Sequence, residues 1–463
     1  MAPEVAGSSP VTHPTPSRQP VHRMLSAALR TLALAAWIVA CGTGAELWGT
    51  ASAAEQTTGT GGINHPSARP RPHVVLVSFD GFHPAYLTRF DKPHFERLAA
   101  RGMRADGLVS VFPSLTFPGH YSIATGLHPE AHGVVGNRFH DPTRGAEFSY
   151  RRRDDAQDGS WWNGEPIWVT AEKQGMVSAA FFFPGTEADI GGIRPSHWRP
   201  YDGRVPNRER IEQVLAWLTL PPARRPHLVT LYFSLVDSAG HRLGPDHPDM
   251  RHSVESADAL LGRLMDGIDA LPHADRVALV VVSDHGMAAP DPDRATVLSE
   301  VVDLSGVRVV EAGPSVSLHV GDRDRAGDLR DRLNARLVHA RAYLREELPE
   351  HLHARRSARL GDLLVMPSGL GMVHLGPDYR PPAGMHGWDP TLPEMHGIFL
   401  AAGPGIAAGV ALPAVDAVDV YPLVAHLLGL TPNPEIAGSL AAFEAALEPA
   451  PDGGGQATGT APE

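Results

Sequence analysis

The sequence predicts an α/β protein, a mostly parallel central sheet with helices on both faces and a small α+β insertion, and three observations carry that expectation. Short apolar, β-branched runs end repeatedly in Asp, Gly or His. Stretches of helical pattern lie between them, and one segment, 301–375, breaks the rhythm. A run that is apolar at nearly every position suits a strand buried on both faces, as in a parallel sheet covered by helices.

Taken in order, residues 1–53 read as an export signal: Arg18, Arg23 and Arg30 precede an apolar run at 32–40 that is too short to span a bilayer. Two processing routes stay open. Ile38-Val39-Ala40-Cys41 resembles a bacterial lipobox, which would attach a lipid to Cys41 and so tie the protein to a membrane, whereas Ala51-Ser52-Ala53 offers ordinary signal cleavage. The mature protein is expected to be secreted, periplasmic or lipid-anchored, and its single cysteine allows no intrachain disulfide. Residues 54–72, rich in Gly, Thr and Pro, read as a flexible spacer.

His73–Phe79 is the first buried strand and delivers Asp80-Gly81. Helical patterns follow at 93–101 and 119–125, a strand at 177–183 ending in Pro184-Gly185, and a helix at 208–218. A strand at 228–236 ends in Asp237, a helix covers 250–270, and a strand at 277–283 ends in Asp284-His285-Gly286. The 301–375 insertion has strand-like runs at 315–320 and 362–366 around a charged helical stretch at 325–348. The chain then rejoins the sheet through His386-Gly387-Trp388-Asp389 and a strand at 397–402, and closes with a helix at 421–428. One main domain is therefore expected from 73–300 and 376–445, followed by a disordered Gly/Ala/Pro tail at 446–463.

A formal net charge of −12 offers no basic face for a phosphate backbone, so binding of nucleic-acid polymers is not expected. An anionic substrate would need local positive charge, and metal ions can supply it. Asp80, Asp237, His241, Asp284, His285 and His386 fall at the ends of apolar runs, where open parallel sheets hold ligands. Each alone is weak, because an Asp at a strand end is usually a cap or turn residue; their recurrence is the signal. Histidine nitrogen and aspartate oxygen suit zinc, and manganese or iron would fit similar ligands. Asp237 and His241, four apart, can share one loop or helical turn. Thr116, in a loop entering a helix, becomes a useful nucleophile only if a neighbour ionises it.

Six ordered motifs resemble the nucleotide pyrophosphatase/phosphodiesterase (type I phosphodiesterase) family of the alkaline phosphatase superfamily. They are 78–82, the block from Phe112 to Asn137, 194–203, 231–241, 283–287 and 386–389. The resemblance implies an alkaline phosphatase-like catalytic domain and two zinc ions, one held by Asp80, Asp284, His285 and the Thr116 oxygen, the other by Asp237, His241 and His386. It also implies a covalent phospho-threonine on Thr116, with Asn137 donating a hydrogen bond to the phosphoryl group. Phe117, Tyr201 and Tyr232 match positions that receive a nucleobase, so the implied partner is a small nucleotide-like phosphodiester or pyrophosphate. His396 competes with His386 for the last ligand position, and the His-Gly-aromatic-Asp pattern favours His386. Pro390 stands where many relatives have Asn, which bears on the shape of the second zinc site.

The same two-metal core also suits a phosphate monoesterase, a phosphonate hydrolase or a lipid head-group phosphodiesterase. A monoester needs further cations, and Arg138 is the only one close in sequence to Asn137, so diesters are favoured. A catalytically silent, metal-stabilised binding protein is the alternative outside enzymology.

Overall fold

The computed structural model describes residues 60–448. The expectations for the export signal, for Cys41 and Ala53, and for nearly all of the 446–463 tail lie outside those residues. A central eight-stranded sheet runs in the order 410–412, 102–105, 399–402, 277–282, 73–79, 228–233, 178–181, 197–199. Only Phe399–Ala402 is antiparallel to its neighbours, and the other five pairings are parallel. The predicted fold class is borne out.

Side-chain alternation explains why the central strands read as continuous apolar runs. Val75, Val77 and Phe79 face one core with Val229, Leu231, Val281 and the helix Met250–Asp269, while Val74 and Leu76 face the other with Val280, Val282 and the helix Val420–Leu428. The helix Met250–Asp269 buries Met250, Val254, Ala257, Leu261, Leu264, Met265 and Ile268, a stripe at steps of three and four. Register then aligns the carboxyl ends of three neighbouring strands. Ser78 lies opposite both Tyr232 and Val282, so Asp80, the 234–241 segment and Asp284-His285 emerge side by side.

Several element boundaries differ from expectation. The helix expected at 119–125 begins at Thr116, and the strand Leu228–Phe233 is followed by a helix, Leu235–Leu243, that carries Asp237 in its first turn. The helical stretch expected over 325–348 stops at Asn334, and Ala340–Leu344 is a strand. There Ala340 and Ala342 are buried on either side of exposed Arg341, a period of two, and the Asn334 side chain exchanges two 2.9 Å hydrogen bonds with the Ala342 backbone. This strand completes an antiparallel sheet with Arg308–Ala312, Ser315–His319 and Leu363–Pro367, packed on its own core of Leu318, Leu329, Leu333 and Val365.

The stretch read as a flexible spacer is pinned from residue 60 onward. Buried Asn64 donates to Pro222 O (3.0 Å) and Arg225 O (2.6 Å) and accepts from the Val177 amide (2.7 Å), while the Thr60 hydroxyl donates to Glu172. Polar side chains anchor it, which composition does not register. Among the described residues no helix is long and apolar enough to cross a membrane.

Candidate active site

Every ligand candidate of the sequence reading arrives at the carboxyl edge of the sheet. Asp80 follows His73–Phe79, and its amide donates to Phe233 O (2.9 Å) while its carbonyl accepts from the Asp237 amide (3.0 Å), stitching two strand ends together. Asp284 and His285 follow Val277–Val282. Asp237 and His241 are one turn apart on the helix Leu235–Leu243, with His241 Nε2 3.3 Å from Asp237 Oδ1. His386 comes from a loop and brings its Nε2 to 3.2 Å from His241 Nε2 and 3.6 Å from Asp237 Oδ1. His396 is not part of this group; it packs against Gly107 instead.

The ring orientations follow from the bonds on the far side of each ring. His241 Nδ1 lies 2.8 Å from Gly384 O, His386 Nδ1 2.8 Å from Ser114 O and His285 Nδ1 2.9 Å from Gly286 O. A carbonyl only accepts, so each ring carries a proton on Nδ1 and aims Nε2 inward; burial works against a second proton, but Asp237 beside His241 and Asp284 beside His285 raise both of those rings above the usual histidine value. His285 Nε2 meets Asp80 Oδ1 at 3.3 Å and Asp284 Oδ2 at 3.1 Å. Asp80 Oδ1, Asp237 Oδ1 and Asp284 Oδ2 are buried without a hydrogen-bond partner of good geometry among the described residues. Imidazole nitrogens and carboxylate oxygens converging at the edge of a cavity suit a divalent cation.

Two sets have ligand atoms within 4.8 Å of one another: Asp237, His241 and His386, and Asp80, Asp237 and His285. Asp237 thus stands between both sets, while Asp284 flanks the second through its contact with His285. Burial, reinforced by the Asp284 and Asp237 charges, pushes Asp80 well above the usual carboxylate range. Burial works against Asp284 too, but His120 and His285 beside it hold it well below that range. Burial and His285 lower His386 to about 3, which keeps it in the neutral, ligand-competent form.

Thr116 opens the helix Thr116–Thr125 and places Oγ1 3.5 Å from His285 Nε2. Asn137 Oδ1 accepts the Phe117 amide (2.9 Å), which assigns the orientation of the side-chain amide and leaves its NH2 group free to donate. All three residues line a cavity of about 390 Å³ together with Asp80, Asp237 and His386. Phe117 rests on Tyr150 (ring centroids 5.3 Å apart) and Trp162 (5.9 Å), and Tyr201 is 44% exposed on the cavity wall. Tyr232 also lines the cavity, but its hydroxyl donates to Asp80 Oδ2 at 2.5 Å, so it braces a ligand candidate.

The sequence reading passed over Tyr150, Arg151 and Glu187 on the cavity wall, and His120 behind it. Tyr150 and Arg151 sit in a polar turn with no periodic signal. His120 had one available: four residues after Thr116 on a helix, it faces back toward the Thr116 turn. Arg138 is exposed and paired with Glu147 at 2.7 Å, outside the cavity lining.

A parallel sheet whose carboxyl edge gathers a threonine at a helix start and a double Asp/His cluster defines a member of the alkaline phosphatase superfamily. Within it, the chain belongs to the family described as type I phosphodiesterase / nucleotide pyrophosphatase, matched over residues 74–389. It is 35% identical over 382 residues to ectonucleotide pyrophosphatase/phosphodiesterase family member 1 of Homo sapiens, a match covering 80% of this chain and 41% of that protein. It is 34% identical to the bis(5'-adenosyl)-triphosphatase of Mus musculus, covering 81% of each. Among solved structures, murine ectonucleotide pyrophosphatase/phosphodiesterase 5, an inactive threonine-to-alanine variant in complex with AMP, superposes with a TM-score of 0.77 at 30% identity, covering 81% of this chain and 100% of that one.

Proposed function

We propose that the chain is a two-zinc phosphodiesterase that hydrolyses nucleotide-type phosphodiester or pyrophosphate bonds through a phospho-threonine on Thr116. The observation that carries this reading is the convergence beside the Thr116 hydroxyl of three inward Nε2 atoms and three carboxylate oxygens that have no hydrogen-bond partner among the described residues. Asp80, Asp284, His285 and Thr116 Oγ1 would hold one ion, and Asp237, His241 and His386 the other. Bound there, the ions would lower the pKa of the hydroxyl and offset charge on the phosphoryl group.

Thr116 gives up its hydroxyl proton to solvent, and Oγ1 bonds to phosphorus as the bond to the leaving oxygen breaks. The start of the Thr116–Thr125 helix faces the phosphoryl group, so its dipole favours the anion, and the Asn137 NH2 donates to a non-bridging oxygen. Water then attacks phosphorus, the Oγ1–P bond breaks, and Thr116 regains its proton. Phe117 and Tyr201 offer faces for a nucleobase. The inactive threonine variant with bound AMP in the murine relative, and the dinucleotide named for the Mus musculus relative, support both the nucleophile and the substrate class. The pairing of Arg138 with Glu147 speaks for diesters over monoesters. Export, with or without a lipid on Cys41, remains part of the proposal.

The test is Thr116→Ala assayed with a thymidine nitrophenyl diester, beside acid quench and mass spectrometry of the native chain during turnover. Loss of activity and an added phosphoryl or nucleotidyl mass on the 112–125 peptide are expected; an unchanged rate in the variant sinks the nucleophile.

A further inference from the structure

We infer that His120 is a positioning residue that holds the Thr116 turn and the Asp284 carboxylate in fixed relation through one proton on Nδ1; this rests on the two-metal reading above. His120 is completely buried, four residues beyond Thr116 on the same helix. Its Nδ1 lies 2.8 Å from Thr116 O, and Asp284 Oδ2 flanks the same nitrogen at 3.1 Å without lying in line with the bond. Both oxygens only accept, so Nδ1 carries the proton and donates it to Thr116 O, while Asp284 Oδ2 meets the same N–H as a close electrostatic contact out of line with that bond. Nε2 faces the Ser78 hydroxyl at 2.7 Å, a group able to donate.

The ring has no freedom to leave this arrangement. Phe183 packs edge-on at 5.0 Å and Tyr232 at 5.3 Å, and Tyr232 is itself tied to Asp80. The backbone beneath is equally close. A side chain at Gly119 would bring a Cβ within 2.9 Å of Asp284 O, which already accepts from Ser110 Oγ at 2.6 Å. The helix that begins with the nucleophile is therefore pressed onto the strand end that carries Asp284, and the His120 side chain touches both Thr116 and Asp284. Donors behind a ligating carboxylate orient it, and their loss typically weakens metal binding about 10- to 100-fold.

Asparagine places its NH2 near the Nδ1 position, whereas glutamine reaches toward Nε2 and can restore only the Ser78 contact. Zinc affinity of the full chain, measured by competition with a chelator, is expected to stay within about threefold of wild type in His120→Asn and to fall about 10- to 100-fold in His120→Gln and His120→Leu. The kcat should follow the same order with little change in KM, because the nucleophile is displaced and the cavity wall is not. Glutamine matching or exceeding asparagine, or leucine binding zinc like wild type, overturns the role. If the leucine variant does not fold, the asparagine and glutamine pair decides alone. Wild-type protein that takes up no zinc would defeat the two-metal reading itself, an outcome distinct from wild-type uptake with all three variants unimpaired.

Discussion

Asn137 permits a prediction in which two substitutions at one atom position differ for electrostatic reasons. Its Oδ1 accepts the Phe117 amide at 2.9 Å, so the NH2 group is the part left to donate to the phosphoryl group. Asn137→Ala removes that donor, and losing one such preorganised donor costs about 10²- to 10³-fold in kcat. Asn137→Asp keeps an acceptor for Phe117 but replaces the donor with a negative charge. At about 4 Å and an effective dielectric near 20, its repulsion of one full phosphoryl charge is about 4 kcal/mol. Partial charge and solvent reduce that, so a further loss of about 10- to 10³-fold beyond alanine is expected. The assay is kcat for the thymidine nitrophenyl diester, with bound zinc measured on the same samples to separate turnover from metal loss. Equal rates for Asn137→Asp and Asn137→Ala, both fully loaded, would refute the donor assignment.

Tyr232→Phe removes a charge-assisted bond to Asp80 worth about 1.5–3 kcal/mol, so it should weaken zinc binding roughly 10- to 100-fold in a chelator competition. Phe117→Ala should instead raise KM for a nucleotide diester more than for a bare nitrophenyl diester; matching patterns in the two variants would return Tyr232 to the base platform. At the opposite, amino-terminal edge of the sheet, His73 stacks on His227 with centroids 4.5 Å apart. Burial, then His227, lower His73 from 6.5 to about 3, with His273 and Arg225 adding to the effect. A depressed folded pKa means the stabilisation is complete above pH 6.5 and declines as the pH falls toward 3, at about 1.4 kcal/mol per pH unit for one proton. Denaturant midpoints between pH 7.5 and 4.5 should fall less steeply in His73→Asn than in wild type, and parallel curves would count against His73 as the source.

The strands and half of the candidate ligand set were legible because burial on both faces leaves a continuous apolar run, and what comes after it stands out: Asp80 follows such a run directly, and Asp284 and His285 follow one after Ser283. The strand Ala340–Leu344 was not legible because its alternation is short and lies within a highly charged segment, and only its partner strand gives that pattern a face to bury. Tyr232 could be placed near the site by its position, yet not given a task, since the choice between a nucleobase and Asp80 depends on where a strand end 152 residues away comes to rest.

Sequence alone determined the class of fold, the residue types of the candidate site and the strand ends that deliver Asp80, Asp284 and His285. The tertiary structure decided which oxygens go unpartnered, which ring nitrogens face inward, that His386 rather than His396 joins the cluster, and that His120 lies between Thr116 and Asp284. Those outcomes depend on the register between strands and on bonds to carbonyls far along the chain, such as His386 to Ser114 across 272 positions. Hydrophobic period is a local property of the chain, whereas the direction of a lone pair is set by whatever acceptor the fold brings to the other side of the ring.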